Sequence, residues 1–412
     1  MTLAFRLCVV SRAFALSLAA AAACRTPPPP VPRSVETKPA KAISIKPIEP
    51  SCRPDVNVQL PLLQAGTRSC VIDVGSRNVK LLVAEAPGPD PRGLHPVRTC
   101  RARLQLGEKT QDAATRQPQG LSEVHQLELA GLIDLYRQVC VGDQGRIVST
   151  IATEWARKAP NMQAVVSRVK KGSGLAMETI TQAREGTLGY LAATKGQRGR
   201  VVLDFGSRSF QVSVWPQDAP APLIIGLPLG IDEVGERFFD AETVPNFAAG
   251  ETAFVAALRA SLPPNWKQQL KRSTGNLNRT LVSLGENGDV ALAIDGKLWT
   301  LGKKLKVVDE ATYLELVAAS SAQVQPLFGR IMGSYDMATL RAWTKRLRKD
   351  LGLFNALRSP NRRKAFGHKM LVYPALVTFL ATELGVQRLV LVPDDLAMGV
   401  LVEAHTPGGQ RM

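Results

Sequence analysis

The sequence is poor in aromatic residues, which make up 5% of the chain. No recognition motif accompanies its positive charge, and together these argue against a specific nucleic-acid reader. Its four histidines, His95, His125, His368 and His405, are scattered, and the cysteines beyond the N-terminal region include no C-x-x-C pair, which argues against a zinc cluster. A G-x-S-x-G elbow, a Ser-His-Asp arrangement and a P-loop are all absent. The apolar run Ala13–Ala23 near the start is eleven residues long, too short to span a bilayer.

That run follows Arg6 and Arg12 and ends before Cys24, the pattern of a secretory signal. Ala21-Ala22-Ala23-Cys24 also fits a lipoprotein cleavage box, with Cys24 as the lipidated residue, although Ala replaces the usual Leu; plain secretion with Cys24 unmodified is the alternative. Residues 1–23 are therefore expected to be a signal peptide on an exported, periplasmic, membrane-anchored lipoprotein. Within residues 24–65, the segment after Cys24 begins RTPPPPVPRS and stays rich in Pro, Lys and Ser as far as Pro50, a composition that cannot bury a core, so 24–65 reads as a semi-extended tether. The formal charge is +17, falling to +15 once the two arginines of residues 1–23 are removed; such an excess attracts polyanions or anionic membrane surfaces. Basic residues crowd between Arg341 and Lys369, as either a solvated helix face or a polyanion track. Cys52, Cys70, Cys100 and Cys140 allow two disulfides in an oxidising compartment. Pairing Cys52 with Cys70 and Cys100 with Cys140 would pin the tether to the first strand; four buried thiols are the alternative.

The folded part is organised around a stretch that occurs twice. Residues 71–85 read VIDVGSRNVKLLVAE and residues 201–215 read VVLDFGSRSFQVSVW, so Asp73, Gly75, Ser76 and Arg77 recur as Asp204, Gly206, Ser207 and Arg208 at an offset of 131. Each copy is an apolar run, a polar break and a second apolar run, the pattern of a strand, a tight turn and an antiparallel strand. Each Asp then sits at the end of a buried strand, and each turn can aim several backbone N–H groups at one anion. Two such turns facing one another would form a cleft with two carboxylates and two anion-binding loops, which suits an oxygen-ligated Mg²⁺ and a phosphate chain. An ordinary hairpin turn would use the same residues; the repetition favours the site.

These turns resemble those of the exopolyphosphatase and guanosine pentaphosphate phosphatase family, within the actin and hexokinase superfamily, whose first loop looks like D-x-G-S-N-S and second like D-x-G-G-G-S-T-E. The resemblance covers roughly residues 66–403 and is strongest over 71–240. It implies an α/β protein of two actin-like (ribonuclease H-like) domains with an interdomain cleft, spanning 66–199 and 200–406. It further implies Mg²⁺ held by Asp73, Asp204 and Gln211, and phosphate contacts from Gly75, Ser76, Arg77, Asn78, Gly206, Ser207, Arg208 and Ser209. The segment 152–157, ATEWAR, is similar to the family's A-T-x-x-x-R block and makes Arg157 a phosphate contact. The segment 180–188, ITQAREGTL, is similar to I-S-G-x-E-E-A-R-L and makes Glu185 the catalytic carboxylate. Residues 224–230, IIGLPLG, resemble S-L-P-L-G, and Gly399 fits a G-L-R-E-G-L-L ending.

Two departures stand out. Gln211 occupies the position of the family's Glu, and an amide neither compensates charge nor takes a proton. Ser207 and Arg208 replace two glycines, where side chains would crowd a phosphate unless Arg77 and Arg208 grip the chain directly.

Along the chain, residues 95–106 read as a third strand, 107–119 as an exposed loop, 121–140 as a helix capped by Ser122, and 146–152 as a strand leading into a helix near Thr153. A Gly-bearing turn is expected at 283–289, a hairpin at Asp295-Gly296, a helix at 372–384, a strand at 388–392 and a closing helix at 396–402. The leading functional expectation is an exported hydrolase of polyphosphate or a nucleotide polyphosphate, and the second is an anion-binding or scaffolding lipoprotein. A kinase or filament-forming relative shares the fold. A second copy of the chain is a candidate partner in a homodimer.

Overall fold

The computed structural model describes residues 50–54, 68–86, 93–112, 115, 117–240, 244–274, 280–284, 334–336, 341, 344–345, 347–349, 351–358, 364–392 and 395–406. The expected signal peptide, Cys24, most of the tether, the turn past Leu284 and the Asp295-Gly296 hairpin lie outside these residues.

The fold is mixed α/β with two six-stranded sheets. The first takes its strands from β1 (Ser51–Pro54), β2 (Arg68–Val74), β3 (Asn78–Glu85), β4 (His95–Arg103), β5 (Gly145–Ala152) and β6 (Glu178–Thr179) in the order β1-β4-β3-β2-β5-β6. The second uses β7 (Val201–Phe205), β8 (Phe210–Val214), β9 (Leu223–Leu227), β10 (Thr280–Leu284), β11 (Ser334–Asp336) and β12 (Arg388–Leu391) in the order β11-β12-β10-β7-β8-β9. Stripped of edge strands β1 and β11, the two are one pattern: an antiparallel meander followed by two parallel strands. The sequence repeat is thus a repeat of structure.

Strand alternation distributes the cores. In β2, Cys70, Ile72 and Val74 face a core shared with α2 (Glu123–Gly142) and α4 (Met162–Ser173), whereas Val71 faces the other way. In β7, Val201, Leu203 and Phe205 face a core shared with α6 (Ile231–Phe238), α7 (Phe247–Ser261), α8 (Trp266–Thr274), α9 (Leu351–Arg358) and α10 (Lys364–Leu384), and Val202 opposes them. Val71 and Val202 meet in a central core with α5 (Gln182–Thr194) and α11 (Leu396–His405). A Cβ on Gly399 would lie 2.0 Å from the Leu188 carbonyl oxygen, so α11 approaches α5 as only glycine permits. Arg184 on α5 pairs with Glu403 on α11. The closing helix therefore returns to the first half of the chain. No helix among the described residues is long and apolar enough to cross a membrane.

Ser122 caps α2, its hydroxyl accepting from the His125 N–H, and Thr181 caps α5 by accepting from the Arg184 N–H. Three expectations need correction. Residues 107–119 do not form a wholly exposed loop: α1 (Leu106–Lys109) starts there with Leu106, Gly107 and Thr110 buried, because it packs under the first turn. Residues 51–54, assigned to the tether, form β1, antiparallel to β4. The disulfides are Cys52–Cys100 and Cys70–Cys140. Strand register decides this, since Cys52 lies directly opposite Cys100 across β1 and β4, while Cys70 faces the core that contains Cys140 of α2.

Candidate active site

The β2–β3 and β7–β8 turns have the same internal bond: the Gly75 N–H donates to the Asn78 carbonyl at 2.9 Å, and the Gly206 N–H donates to the Ser209 carbonyl at 2.9 Å. Each turn is then docked on the start of a later helix. The Ser76 carbonyl accepts from Gly107 at 2.7 Å, and the Gly206 and Ser207 carbonyls accept from Ile231 and Asp232, each at 3.0 Å. The second docking depends on Gly230, where a Cβ would sit 2.1 Å from the Arg208 backbone nitrogen. The close backbone approach expected of glycines at 207 and 208 is thus made by the preceding glycine of another segment.

Both turns open on one cleft. It is lined by Asp73, Gly75, Ser76, Arg77 and Asn78 from the first turn, by Asp204, Gly206, Ser207, Arg208 and Ser209 from the second, and by Glu185 from α5. Two of the named residues stand elsewhere. Arg157, at the end of the short α3 (Glu154–Lys158), donates to the Ile180 carbonyl at 3.0 Å and pairs with Glu185 Oε2 at 2.9 Å. It therefore holds the carboxylate rather than lining the cleft. Gln211 is buried, and its amide donates to Ser209 Oγ at 3.2 Å. Cys24 lies outside the described residues.

The cleft also contains Lys80, Thr153, Glu154, Tyr373 and Asp395, none of which was singled out as a site residue. Lys80 was within reach of the sequence: it pairs across β2–β3 with Asp73 just as Gln211 pairs across β7–β8 with Asp204, and the two are separated by the same offset of 131. Asp395 carries no sequence signal. Tertiary packing brings it in, with Oδ2 3.4 Å from Lys80 Nζ and Oδ1 accepting from the Ala397 N–H at 3.1 Å as the cap of α11.

Carboxylates dominate the electrostatics. Asp204 is pushed up to about 8, first by loss of solvent and then by Glu185, Asp73 and Asp395, with Lys80 opposing. Glu185 is also raised, chiefly by burial and against the pull of Arg157. Glu154 accepts from Ser76 Oγ at 3.2 Å and pairs with Lys158.

Among the described residues no three His, Cys, Asp or Glu side chains form a metal cage. The cleft nevertheless suits Mg²⁺ of the kind that keeps several waters and takes one or two carboxylates plus phosphate oxygens. Asp73 and Asp204 stand at equivalent strand ends beside it, and Asp204 is raised first by loss of solvent and then by the neighbouring carboxylates, a penalty on negative charge that a cation would relieve. Gln211 is not among the residues that line the cleft, and its amide nitrogen is turned to Ser209.

Comparison with known proteins bears on the same region. Residues 84–286 match the Ppx/GppA phosphatase family. This chain belongs to that family. The chain is 31% identical over 166 residues to exopolyphosphatase 1 of Mycobacterium tuberculosis, covering 39% of this chain and 45% of that protein. It is 29% identical over 166 residues to exopolyphosphatase 1 of Mycobacterium leprae, covering 39% and 46%. The matched segment thus spans less than half the length of these curated relatives. A crystal structure of the Aquifex aeolicus Ppx/GppA family member superposes with a TM-score of 0.60 at 20% identity, covering 82% of this chain and 97% of that one. An exopolyphosphatase from Cytophaga hutchinsonii gives 0.59 at 15% identity with the same coverage. These likenesses establish the two-sheet fold. The Ppx/GppA match contains Arg157, Glu185 and the second turn but begins at residue 84, just past the first turn, whose correspondence is carried by the repeated geometry.

Proposed function

We propose that this Ppx/GppA member hydrolyses the terminal phosphoanhydride of polyphosphate or a nucleotide polyphosphate. The observation that carries this reading is the convergence of both D-x-G-S-R turns and the buried Glu185 on one cleft. In this reading the backbone and arginines of the two actin-like halves bind the phosphates, and Asp73 and Asp204 hold Mg²⁺, which supplies charge neutralisation at the phosphate oxygens. Glu185, oriented by Arg157 and raised by burial, accepts a proton from the attacking water and aligns it with the scissile bond. A raised carboxyl accepts that proton more readily at neutral pH than an ordinary one does.

The proposal includes export, with a lipid anchor at Cys24. Two disulfides in the first half support an oxidising compartment. A second reading, anion binding without turnover, is favoured by Gln211, which faces inward where the family carries Glu.

The mature protein incubated with polyphosphate and Mg²⁺ separates the two. Hydrolysis is expected to release orthophosphate, and Glu185→Gln is expected to lower kcat by roughly 100-fold or more, the contribution of a positioned general base. Unchanged turnover in that variant removes Glu185 from the mechanism; binding with no phosphate release leaves the second reading.

A further inference from the structure

The repeated arginines reach across the cleft in opposite directions. Arg208 of the second turn donates to Gln111 Oε1, in the first half, at 3.1 Å. Arg77 of the first turn pairs with Asp232, in the first turn of α6 in the second half. The contacts are reciprocal in position but unequal in charge: Arg208 meets a neutral amide, whereas Arg77 meets a carboxylate. Both partners of the ion pair are largely screened from solvent, their side chains 15% and 12% exposed. The Arg77 Nε–H is buried, has no hydrogen-bond acceptor among the described residues, and belongs to a side chain lining the cleft. A guanidinium with one edge held by a carboxylate and another donor unused is still equipped to take an anion.

We infer that Asp232 is an internal competitor for Arg77, occupying the guanidinium until a substrate phosphate displaces it and reclaiming it as product leaves. This rests on the phosphate reading of the cleft. A carboxylate fixed beside its arginine competes at high effective concentration, so every anion needing Arg77 loses affinity by one common factor. A chain of phosphates, held by both turns, tolerates that loss. Orthophosphate, with fewer contacts, falls below useful affinity and does not block the site.

The test is a double-mutant cycle read by calorimetric binding of orthophosphate and tripolyphosphate, with Mg²⁺ and fixed salt, on the full chain. Asp232→Asn is expected to tighten both ligands by the same factor, about tenfold, and Arg77→Gln to weaken both. The decisive measurement is Asp232→Asn in the Arg77→Gln background, where tripolyphosphate binding should not recover. Equal tightening or recovery there would mean simple removal of a nearby negative charge and would overturn the inference, as would weaker binding by Asp232→Asn alone. Asp232→Ser, checked by thermal melting, stands in should the Asn variant fold poorly. If neither the wild type nor Asp232→Asn binds tripolyphosphate, the phosphate reading itself falls and the inference with it; binding by the wild type with an unchanged Asp232→Asn removes only the inference.

Discussion

The two sheets are built to one plan and stabilised differently. Around the first, the core is mostly aliphatic, with Tyr136 and Trp155 as its aromatic members, and the two disulfides fasten β1 to β4 and β2 to α2. Around the second, aromatic rings do the filling. Phe239 stacks on Phe247, Phe238 leans on Phe254, and Trp266 stacks on Phe379. The chain has no cysteine after Cys140. A duplicated frame thus keeps the hydrogen bonds of its turns, while the means of holding those turns in place diverge. Large rings bury much apolar area per side chain, whereas a cross-link acts largely by restricting the unfolded chain.

The largest test of this comparison is reduction. The disulfides close separations of 48 and 70 residues, worth about 4 kcal/mol each by chain entropy and less where strain or residual structure intervenes. Cys70→Ser with Cys140→Ser is expected to cost about 2–4 kcal/mol, and hydrogen exchange should rise in β2–β5 far more than in β7–β9. Equal loss of protection in both sheets would show that the central core of α5 and α11 binds the halves into one cooperative unit and that the staples serve the whole molecule.

Much of this frame was legible because its signals are local. The D-x-G-S-R repeat gave both hairpins and, through its constant spacing, placed Asp73 and Asp204 at equivalent strand ends. Ser122 announced its helix because a hydroxyl before an apolar-periodic segment satisfies free N–H groups. What escaped was fixed by distant chain segments. The disulfide pairing follows from β1 joining the sheet edge beside β4, which a Pro-rich composition concealed. Arg157 could be recognised as a site residue, but only the fold shows its guanidinium turned to Glu185 and Ile180. Asp395 and Asp232 reach the cleft or its arginine through packing of α11 and α6, and no nearby motif marks either one. Lys80 is the instructive omission, since the same repeat that exposed Gln211 pointed to it.

The next test concerns charge in the shared cleft. Asp204 has its pKa raised from 3.8 to about 8. Between those values the unfolded chain has lost this proton while the folded protein retains it, so this group's contribution to stability falls as pH rises from about 4 to about 8. The expected loss is on the order of 2 kcal/mol, the full shift being discounted because a folded site relaxes around a buried charge. Asp204→Asn should flatten that slope in melting curves recorded without divalent cations. Mg²⁺ should flatten the wild-type slope as well, with proton release measurable by calorimetry in buffers of different ionisation enthalpy. An unchanged slope in Asp204→Asn would assign the pH dependence to Glu185 or another group.

The smallest expected effect isolates the one position where the halves differ most in chemistry. Lys80 and Gln211 occupy matching places opposite Asp73 and Asp204, yet Lys80 lines the cleft beside Asp395 while Gln211 is buried against Ser209. Gln211→Glu restores the family's carboxylate. Without metal it adds an acid to a site already crowded with them and exchanges an amide donor for an acceptor, so it should destabilise by about 1 kcal/mol. With Mg²⁺ the added charge gains a partner, and the melting temperature should return toward that of the wild type, accompanied by tighter Mg²⁺ binding. Recovery of that kind would make the second turn a metal position weakened by the amide. If Mg²⁺ restores nothing, the cation is held from the first turn and Asp204 alone, and Lys80 rather than Gln211 becomes the residue that sets the charge of the cleft.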